Sequence, residues 1–283
     1  MFNKTKVCTR YIFNLTLQKI FSIRMLIVLI ILYIFRDVYI IRDLRQLCVD
    51  YDCSVVPMFM PFLVNCFDFI FVFGFCVIYL FSDIPFMNRW EMYYINRMGR
   101  TLWVICKNIS LFCVSAIFMG INYLMDLVMM VPYIDIGNAW DRLTVSLANG
   151  ALFSDRNIFS AKITNFFSPF EIGIHSYIFG TFILFMIVNI MFAISITINR
   201  EIAILIGGII AAMPVAAYNS KLILPHIYFF SPLNWISVID SRLAYYLPDE
   251  KFIISVVILC LLITMFLLVF KINNKDFIWN KED

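Results

Sequence analysis

The chain has 283 residues, of which 63% are hydrophobic, 17% are aromatic and only 14% are charged. Soluble globular proteins carry about 25% charged residues, so this composition excludes an ordinary soluble domain and predicts a membrane protein with several spans. Each helical span needs about 20 apolar residues, so six spans would leave room for little beyond one transmembrane domain.

The N-terminal segment, residues 1–21, has the pattern of an amphipathic helix. Phe13, Leu17 and Ile20 fall on one helical face, while Asn14 and Gln18 fall on another. A helix of this kind can lie flat at a membrane surface. We therefore predict a cytoplasmic interfacial helix before the first span.

Six apolar segments follow, and they predict an all-α polytopic membrane protein. The first segment is interrupted by Arg36 and Asp37, and the fifth is short and contains Pro214. The predicted spans are residues 22–41, 57–81, 104–131, 174–198, 201–218 and 252–270.

Lys and Arg residues are divided unevenly between the two ends of the predicted spans. With both termini cytoplasmic, thirteen of the 22 Lys and Arg residues lie inside, while twelve of the 19 Asp and Glu residues lie outside. Cytoplasmic loops of membrane proteins carry an excess of Lys and Arg. The distribution therefore predicts that both termini, and the loop after the second span, lie in the cytoplasm.

Charged residues inside spans are expensive and usually have a partner. Asp68 would lie roughly 9 Å below the outer surface, and Arg36 falls at a similar depth in the first span. We therefore predict an ion pair between Arg36 and Asp68, which would serve as a structural tie or as part of a pathway wall.

Most of the eight cysteines lie within apolar runs, where they act as small hydrophobic residues. Cys48 and Cys53 instead fall in the first predicted outer loop, on the side where disulfides persist. These two residues are the predicted extracellular disulfide.

Sequence motifs for catalysis are absent from the chain. It has no G-x-x-x-x-G-K-[ST] phosphate loop and no H-E-x-x-H motif, so we predict no ATP hydrolysis, catalytic residue or bound metal. The nearest acid/base or metal constellation is Glu171 with His175 on one helix face, joined by His226. Ordinary interfacial polar residues explain the same three side chains.

Two short patterns accompany the six-span layout. The first cytoplasmic loop reads R-M-G-R-x-x-W-x-x-x-K from Arg97 to Lys107, and S-P-L-x-W runs from Ser231 to Trp235 between the last two spans. With both ends inside and an N-terminal surface helix, the chain resembles the ABC-2 type permeases over its whole length. That family forms the membrane-spanning subunits of ATP-binding cassette exporters, so residues 1–283 would be a single permease domain.

The resemblance implies a coupling helix and an external gate. In that family the first cytoplasmic loop docks on a separate ATPase, and short re-entrant or extracellular helices between spans five and six help to close the gate. The residues implied to couple to the ATPase are Arg89, Trp90, Glu91, Tyr94, Arg97 and Arg100. The residues implied to form the gate segment are Pro225, Ser231, Pro232 and Trp235.

The resemblance also implies partners and a location. Two copies of an ABC ATPase and a second permease, either identical (a homodimer) or related (a heterodimer), would assemble in the lipid bilayer of a bacterial cell membrane. The chain itself would bind no cofactor, because ATP and Mg²⁺ would belong to the ATPase. No nucleic-acid partner is implied. The plain alternative for the charged loop is an aromatic and basic belt without a partner.

The predicted spans offer mostly Phe, Ile, Val and Met, with a few polar groups such as Asn65 and Asp68. Such a surface suits export of an amphipathic or hydrophobic substrate, for example a peptide such as a bacteriocin, a lipid-like molecule or a drug. Two functions of other classes remain open. One is an intramembrane hydrolase built on Glu171, His175 and His226, and the other is a non-transporting immunity or sensor subunit.

The outer loop of residues 132–173 is longer than this family usually has. Trp140, Leu143 and Leu147 recur within it at helical spacing, which predicts an amphipathic helix on the outer leaflet. We interpret the loop either as a substrate or partner element or as a lineage-specific addition.

Overall fold

The computed structural model describes residues 2–85, 91–150, 158–219, 225–237 and 248–274, and these are mostly helical. No β-strand occurs in these ranges beyond an isolated bridge between Val55 and Ile134. The helices are α1 (Phe2–Ile20), α2 (Ile23–Arg36), a π-helical turn (Asp37–Ile41), α3 (Arg42–Asp50), α4 (Met60–Leu63), α5 (Phe67–Phe81), α6 (Glu91–Met98), α7 (Arg100–Met130), α8 (Arg142–Ala148), α9 (Ala161–Phe166), α10 (Pro169–Thr197), α11 (Arg200–Asn219), two 3₁₀ helices (Pro225–Phe230 and Pro232–Ile236) and α12 (Glu250–Asn274).

Four helices, α7, α10, α11 and α12, are long and apolar enough to cross a membrane. The stretch from α1 to α3 passes the same test only as a bent pair of helices. α5 is apolar but has 15 residues, or about 22 Å, which is short of the ~30 Å hydrocarbon core. The described part of the chain therefore has four candidate spans, or five with the bent pair, where the sequence predicts six.

The first predicted span does not end at Ile41. The helix continues through the π-helical turn and α3 to Asp50. Although α3 is polar in sequence, Leu44 and Cys48 are buried and Arg45 donates a hydrogen bond to the carbonyl of Met129. The helix thus extends because its last turns pack against the end of α7.

The second predicted span, residues 57–81, is helical over less of its length than predicted. Pro57 and Pro61 lie near its start, and Pro61 opens the single turn of α4. Cys66 then has an extended backbone, so α5 begins only at Phe67. Proline removes a backbone donor and is tolerated mainly in the first turn of a helix, which explains the short helix followed by a break.

The junction of α1 and α2 is a bend fixed by Ser22. Its hydroxyl donates to the carbonyl of Lys19 at 2.7 Å and accepts from the amide of Met25 at 3.2 Å, as an N-cap of α2. The two helix axes differ by 48°. A helix lying flat beside a span along the bilayer normal would differ from it by about 90°, so α1 leaves α2 obliquely.

α10 lies at the centre of the bundle, in contact with α7, α11, α12 and the second 3₁₀ helix. Its packing is close at two glycines. A Cβ atom on Gly180 would overlap the Met119 side chain, and one on Gly207 of α11 would lie 3.1 Å from the sulfur of Met191. These positions allow α7 and α11 to approach α10 closely.

The long loop after α7 folds back onto the bundle as a cap. Leu143 and Leu147 of α8 are buried, and the Trp140 indole donates to the carbonyl of Phe167 at 2.7 Å and contacts Phe62. The predicted helix in this loop is therefore present as α8. Its apolar side chains, however, pack on the protein, and the prediction that they face the outer leaflet is wrong.

Candidate functional site

α6 is a short amphipathic helix with one buried and one exposed face. Glu91, Ile95 and Met98 are buried, whereas Tyr93 and Arg97 are exposed. Their spacing of three or four residues places each set on one side of the helix. The buried side packs against α1 and α7.

Glu91 is held by three donors from the two neighbouring helices. Its carboxylate accepts from the Lys107 ammonium at 2.7 Å, from the Trp103 indole at 2.5 Å and from the Tyr11 hydroxyl at 2.6 Å. All four side chains are buried. Hydrogen bonds to charged groups are stronger than neutral ones, and more so away from water. This cluster therefore fixes the start of α6 to α1 and α7.

Further contacts bind α1 along the same surface. Tyr11 packs on Tyr94 with ring centroids 4.6 Å apart, and the hydroxyls of Thr16 and Ser110 are 3.2 Å apart. α1, α6 and the first half of α7 consequently form one packed unit. A movement of α6 would be transmitted to both longer helices.

The exposed face of α6 is organised around Arg97. Its guanidinium donates to the Tyr93 hydroxyl at 2.7 Å and lies 5.1 Å from the Tyr93 ring centroid. Gly99 then adopts φ +89°, a conformation that other residues rarely take, and ends α6 before α7 begins. Arg100 donates to the carbonyl of Ile272 at 3.2 Å and so connects this corner to α12.

The six residues predicted to couple to an ATPase thus occupy different environments. Arg97 is exposed, Tyr94 and Arg100 are half-buried, and Glu91 is buried. Because Glu91 faces the protein interior, it positions α6 and is not part of its outer surface. Arg89 and Trp90 lie outside the described residues.

Sequence reasoning missed the partners of Glu91. Lys107 and Trp103 are four positions apart in α7 and so share a helix face. A lysine inside an apolar run requires a nearby anion, and Glu91 is the acidic residue next to it in the preceding loop. That signal was present in the sequence, whereas the contribution of Tyr11 from α1 was not.

A second charged cluster lies at the end of α5. The Asp83 carboxylate is 2.6 Å from the Lys19 ammonium and 3.0 Å from the Arg24 guanidinium. Arg24 also donates to the Ser82 hydroxyl at 3.2 Å, and Arg200 donates to the Ser82 carbonyl at 2.8 Å. These contacts hold the α1–α2 bend and the start of α11 to the segment that leads toward α6.

The predicted ion pair between Arg36 and Asp68 is wrong. Arg36 is fully buried and its guanidinium lies 3.1 Å from the Asp126 carboxylate and 2.9 Å from the Asn122 side-chain oxygen. Asp68 is exposed and accepts a long hydrogen bond, 3.4 Å, from the Tyr39 hydroxyl. The reason is that Asp68 lies on the exposed face of α5, whereas the buried Asp126 of α7 faces Arg36.

The predicted gate segment forms the two 3₁₀ helices, and the second of them is buried in the bundle. Leu233 and Ile236 are buried, and the Trp235 indole donates to the carbonyl of Tyr228 at 2.9 Å. Pro232 opens the second 3₁₀ helix, directly after the buried Ser231. Pro225 opens the first.

A small polar cavity of about 70 Å³ lies between the gate segment and the ends of α5 and α11. Asn65 and Ser237 border it, and the Ser237 hydroxyl donates to the Asn65 side-chain oxygen. This hydrogen bond ties the second 3₁₀ helix to the start of α5. The predicted gate segment therefore contacts both α5 and α11.

Cys48 and Cys53 are not joined. All eight cysteines lie in the described ranges and are free thiols. Cys48 is buried in α3, and the Cys53 amide donates to the Cys48 carbonyl at 3.1 Å. The turn after α3 is thus closed by a backbone hydrogen bond, and the predicted disulfide is not present.

The hydrolase hypothesis gains no support from the geometry. Glu171 and His226 are exposed and His175 is half-buried beside Phe179. Within the part of the chain that the structure describes, no group of three or more His, Cys, Asp or Glu side chains is placed to hold a metal ion.

Comparisons of the chain with protein-family models, with curated proteins and with solved structures gave no match. Function is therefore inferred from the residues and their geometry. The arrangement that stands out is α6, a surface helix whose buried Glu91 carboxylate is bound by Tyr11 of α1 and by Lys107 and Trp103 of α7.

Proposed function

We propose that the chain is the membrane-spanning subunit of an ATP-binding cassette exporter of the ABC-2 type, with α6 as the docking surface for a separate ATPase. The supporting observation is the split of α6 into an exposed face carrying Tyr93 and Arg97 and a buried face held by Glu91. A helix with one free face and one fixed face can both receive a partner and transmit its movement.

The proposal includes a six-span layout with α6 and both termini in the cytoplasm, in agreement with the charge distribution. Closure of two ATPases around ATP and Mg²⁺ would push α6 and, through Glu91, shift α1 and α7 between access states. Two copies of the chain, or this chain and a related one, would enclose a pathway for an amphipathic or hydrophobic substrate. The membrane is proposed to be a bacterial cell membrane.

The test uses charge reversal on two exposed arginines at opposite ends of α7. Arg97→Glu alters the exposed face of α6, and Arg142→Glu makes the same change on α8. A photo-crosslinking amino acid at position 93 of each full-length variant should form an adduct in native membranes. We expect the adduct to contain a protein with a G-x-x-x-x-G-K-[ST] phosphate loop.

The expected result is loss of this adduct in Arg97→Glu and its retention in Arg142→Glu. ATP hydrolysis by the purified complex should fall in the same variant. An adduct that lacks any ATP-binding protein would refute the proposal. Equal loss of the adduct in both variants would also refute it, because α6 would then have no special part in the contact.

A further inference from the structure

A stripe of exposed apolar side chains runs along α10, and an exposed phenylalanine of α9 lies just before it. Phe170, Ile174, Ile178 and Phe182 recur every four residues and all are exposed, so they lie on one face of α10. Phe166, the last residue of α9, precedes Phe170 by four positions. It is 66% exposed and Phe170 is 61% exposed, the two largest values in the stripe.

The position of Phe166 is fixed by the buried residues next to it in α9 and after its end. Ile163 is fully buried and Phe167 is nearly so, in a cluster with Phe62 and Trp140. The Trp140 indole also donates to the Phe167 carbonyl at 2.7 Å. α9 therefore cannot turn Phe166 inward without giving up this packing, and its exposure is a property of the fold.

The surroundings of Phe166 indicate what covers it. α10 is long and apolar enough to cross a membrane, so its exposed stripe faces the region that lipid would occupy. Phe170 lies in the first turn of α10, and Phe166 lies just before the helix begins. Lys162, one turn before Phe166 on α9, is exposed and is long enough to place its ammonium among lipid headgroups.

We propose that Phe166 and Phe170 insert into the bilayer leaflet at the end of the bundle where α10 begins, with Lys162 at the level of the headgroups. The occupant of this surface is lipid. The contact differs from the sequence prediction for this loop, which assigned the leaflet contact to Trp140, Leu143 and Leu147. It is independent of any ATPase, because α9 lies at the opposite end of α7 from α6.

The test adds a tryptophan at one position of the full-length chain in phosphatidylcholine vesicles. Phe166→Trp and Phe170→Trp probe the proposed contact. Ile136→Trp is the matched control, because Ile136 is 91% exposed in the same cap but lies beside Asp135. The chain already has five Trp residues, so the signal is the difference in emission from the parent protein.

Lipids brominated near the headgroup end of their acyl chains should remove most of the added emission at positions 166 and 170. Aqueous iodide should remove most of it at position 136 only. Quenching of position 166 by iodide as at position 136 would overturn the proposal. Protection from both quenchers would overturn it as well, because protein would then cover the stripe. Phe166→Trp and Phe170→Trp are both at exposed sites, where the larger side chain fits. Quenching of the added tryptophan in either folded variant therefore tests the proposal.

Discussion

Asp126→Asn should destabilise the protein strongly, because it removes the charge that balances a fully buried arginine. The Asp126 and Arg36 side chains are both 0% exposed and their charged atoms are 3.1 Å apart. At that separation, and with an effective dielectric constant of about 20, the attraction is about 5 kcal/mol. Breaking a buried ion pair from one side costs about 3–5 kcal/mol in other proteins, so we expect a loss in this range.

Two further variants separate charge from hydrogen bonding. The amide of Asn at position 126 can still accept the hydrogen bond that Asp126 receives from the Met60 amide at 3.0 Å, so the loss in Asp126→Asn reports the charge. Adding Arg36→Met to Asp126→Asn removes both charges and should recover most of the stability. Asp68→Asn, at the partner predicted from sequence, should change stability by less than about 1 kcal/mol.

The assay is equilibrium unfolding in mixed detergent micelles, followed by loss of helical signal. Five proteins are compared: the parent, Asp126→Asn, Arg36→Met, the variant with both of these changes, and Asp68→Asn. The reasoning is refuted if Asp126→Asn and Asp68→Asn lose the same stability. It is also refuted if the double variant is as unstable as the sum of its single changes, because contacting residues should show a coupling energy.

Two further pairs of substitutions test the packing around the predicted gate segment and around α6. Gly74→Ala should destabilise the protein by about 1–3 kcal/mol, because its Cβ would overlap Leu233. Gly208→Ala has open space around its Cβ and should be neutral or stabilising by up to about 1 kcal/mol. Equal shifts of the two variants in a thermal unfolding assay would contradict the packing. Glu91→Gln should accelerate amide hydrogen exchange throughout α6, because the Glu91 carboxylate holds the buried face of the helix. Arg97→Gln, on the exposed face, should leave the exchange rates of α6 unchanged. Equal exchange rates in the two variants would show that Glu91 does not fix the helix.

Much of the helical layout could be predicted from the apolar pattern. α7, α10, α11 and α12 begin and end within about five residues of the predicted spans, because each is a continuous apolar run bounded by charged residues or caps. Ser168, for example, accepts from the amide of Glu171 at 3.3 Å and starts α10. The local sequence is therefore sufficient to predict where these four helices begin and end.

The extent of the first span and the partners of the buried charges depended on tertiary contacts. The polar helix α3 continues the first span only because Leu44 and Cys48 find a packing surface. α2 packs on α5, but the partner of Arg36 depended on which neighbouring helix directs a carboxylate toward it, and the depth of a residue along its own helix does not determine that. The burial of Glu91 depended on α1 folding back beside α6, so a residue with the pattern of a docking surface became a buried anchor.

The two buried charge clusters on α7 also constrain how this helix can move in a bilayer. Lys107 and Asp126 are 19 positions apart, which corresponds to about 28 Å along the helix axis and is close to the ~30 Å hydrocarbon thickness. With α7 spanning the bilayer, this spacing lets each cluster sit at one edge of the apolar layer. Sliding α7 along its axis by one turn would carry one cluster toward the middle of the layer. Tilting α7 changes the depth of both clusters little. We therefore expect α7 to move by tilting and not by translation along its axis.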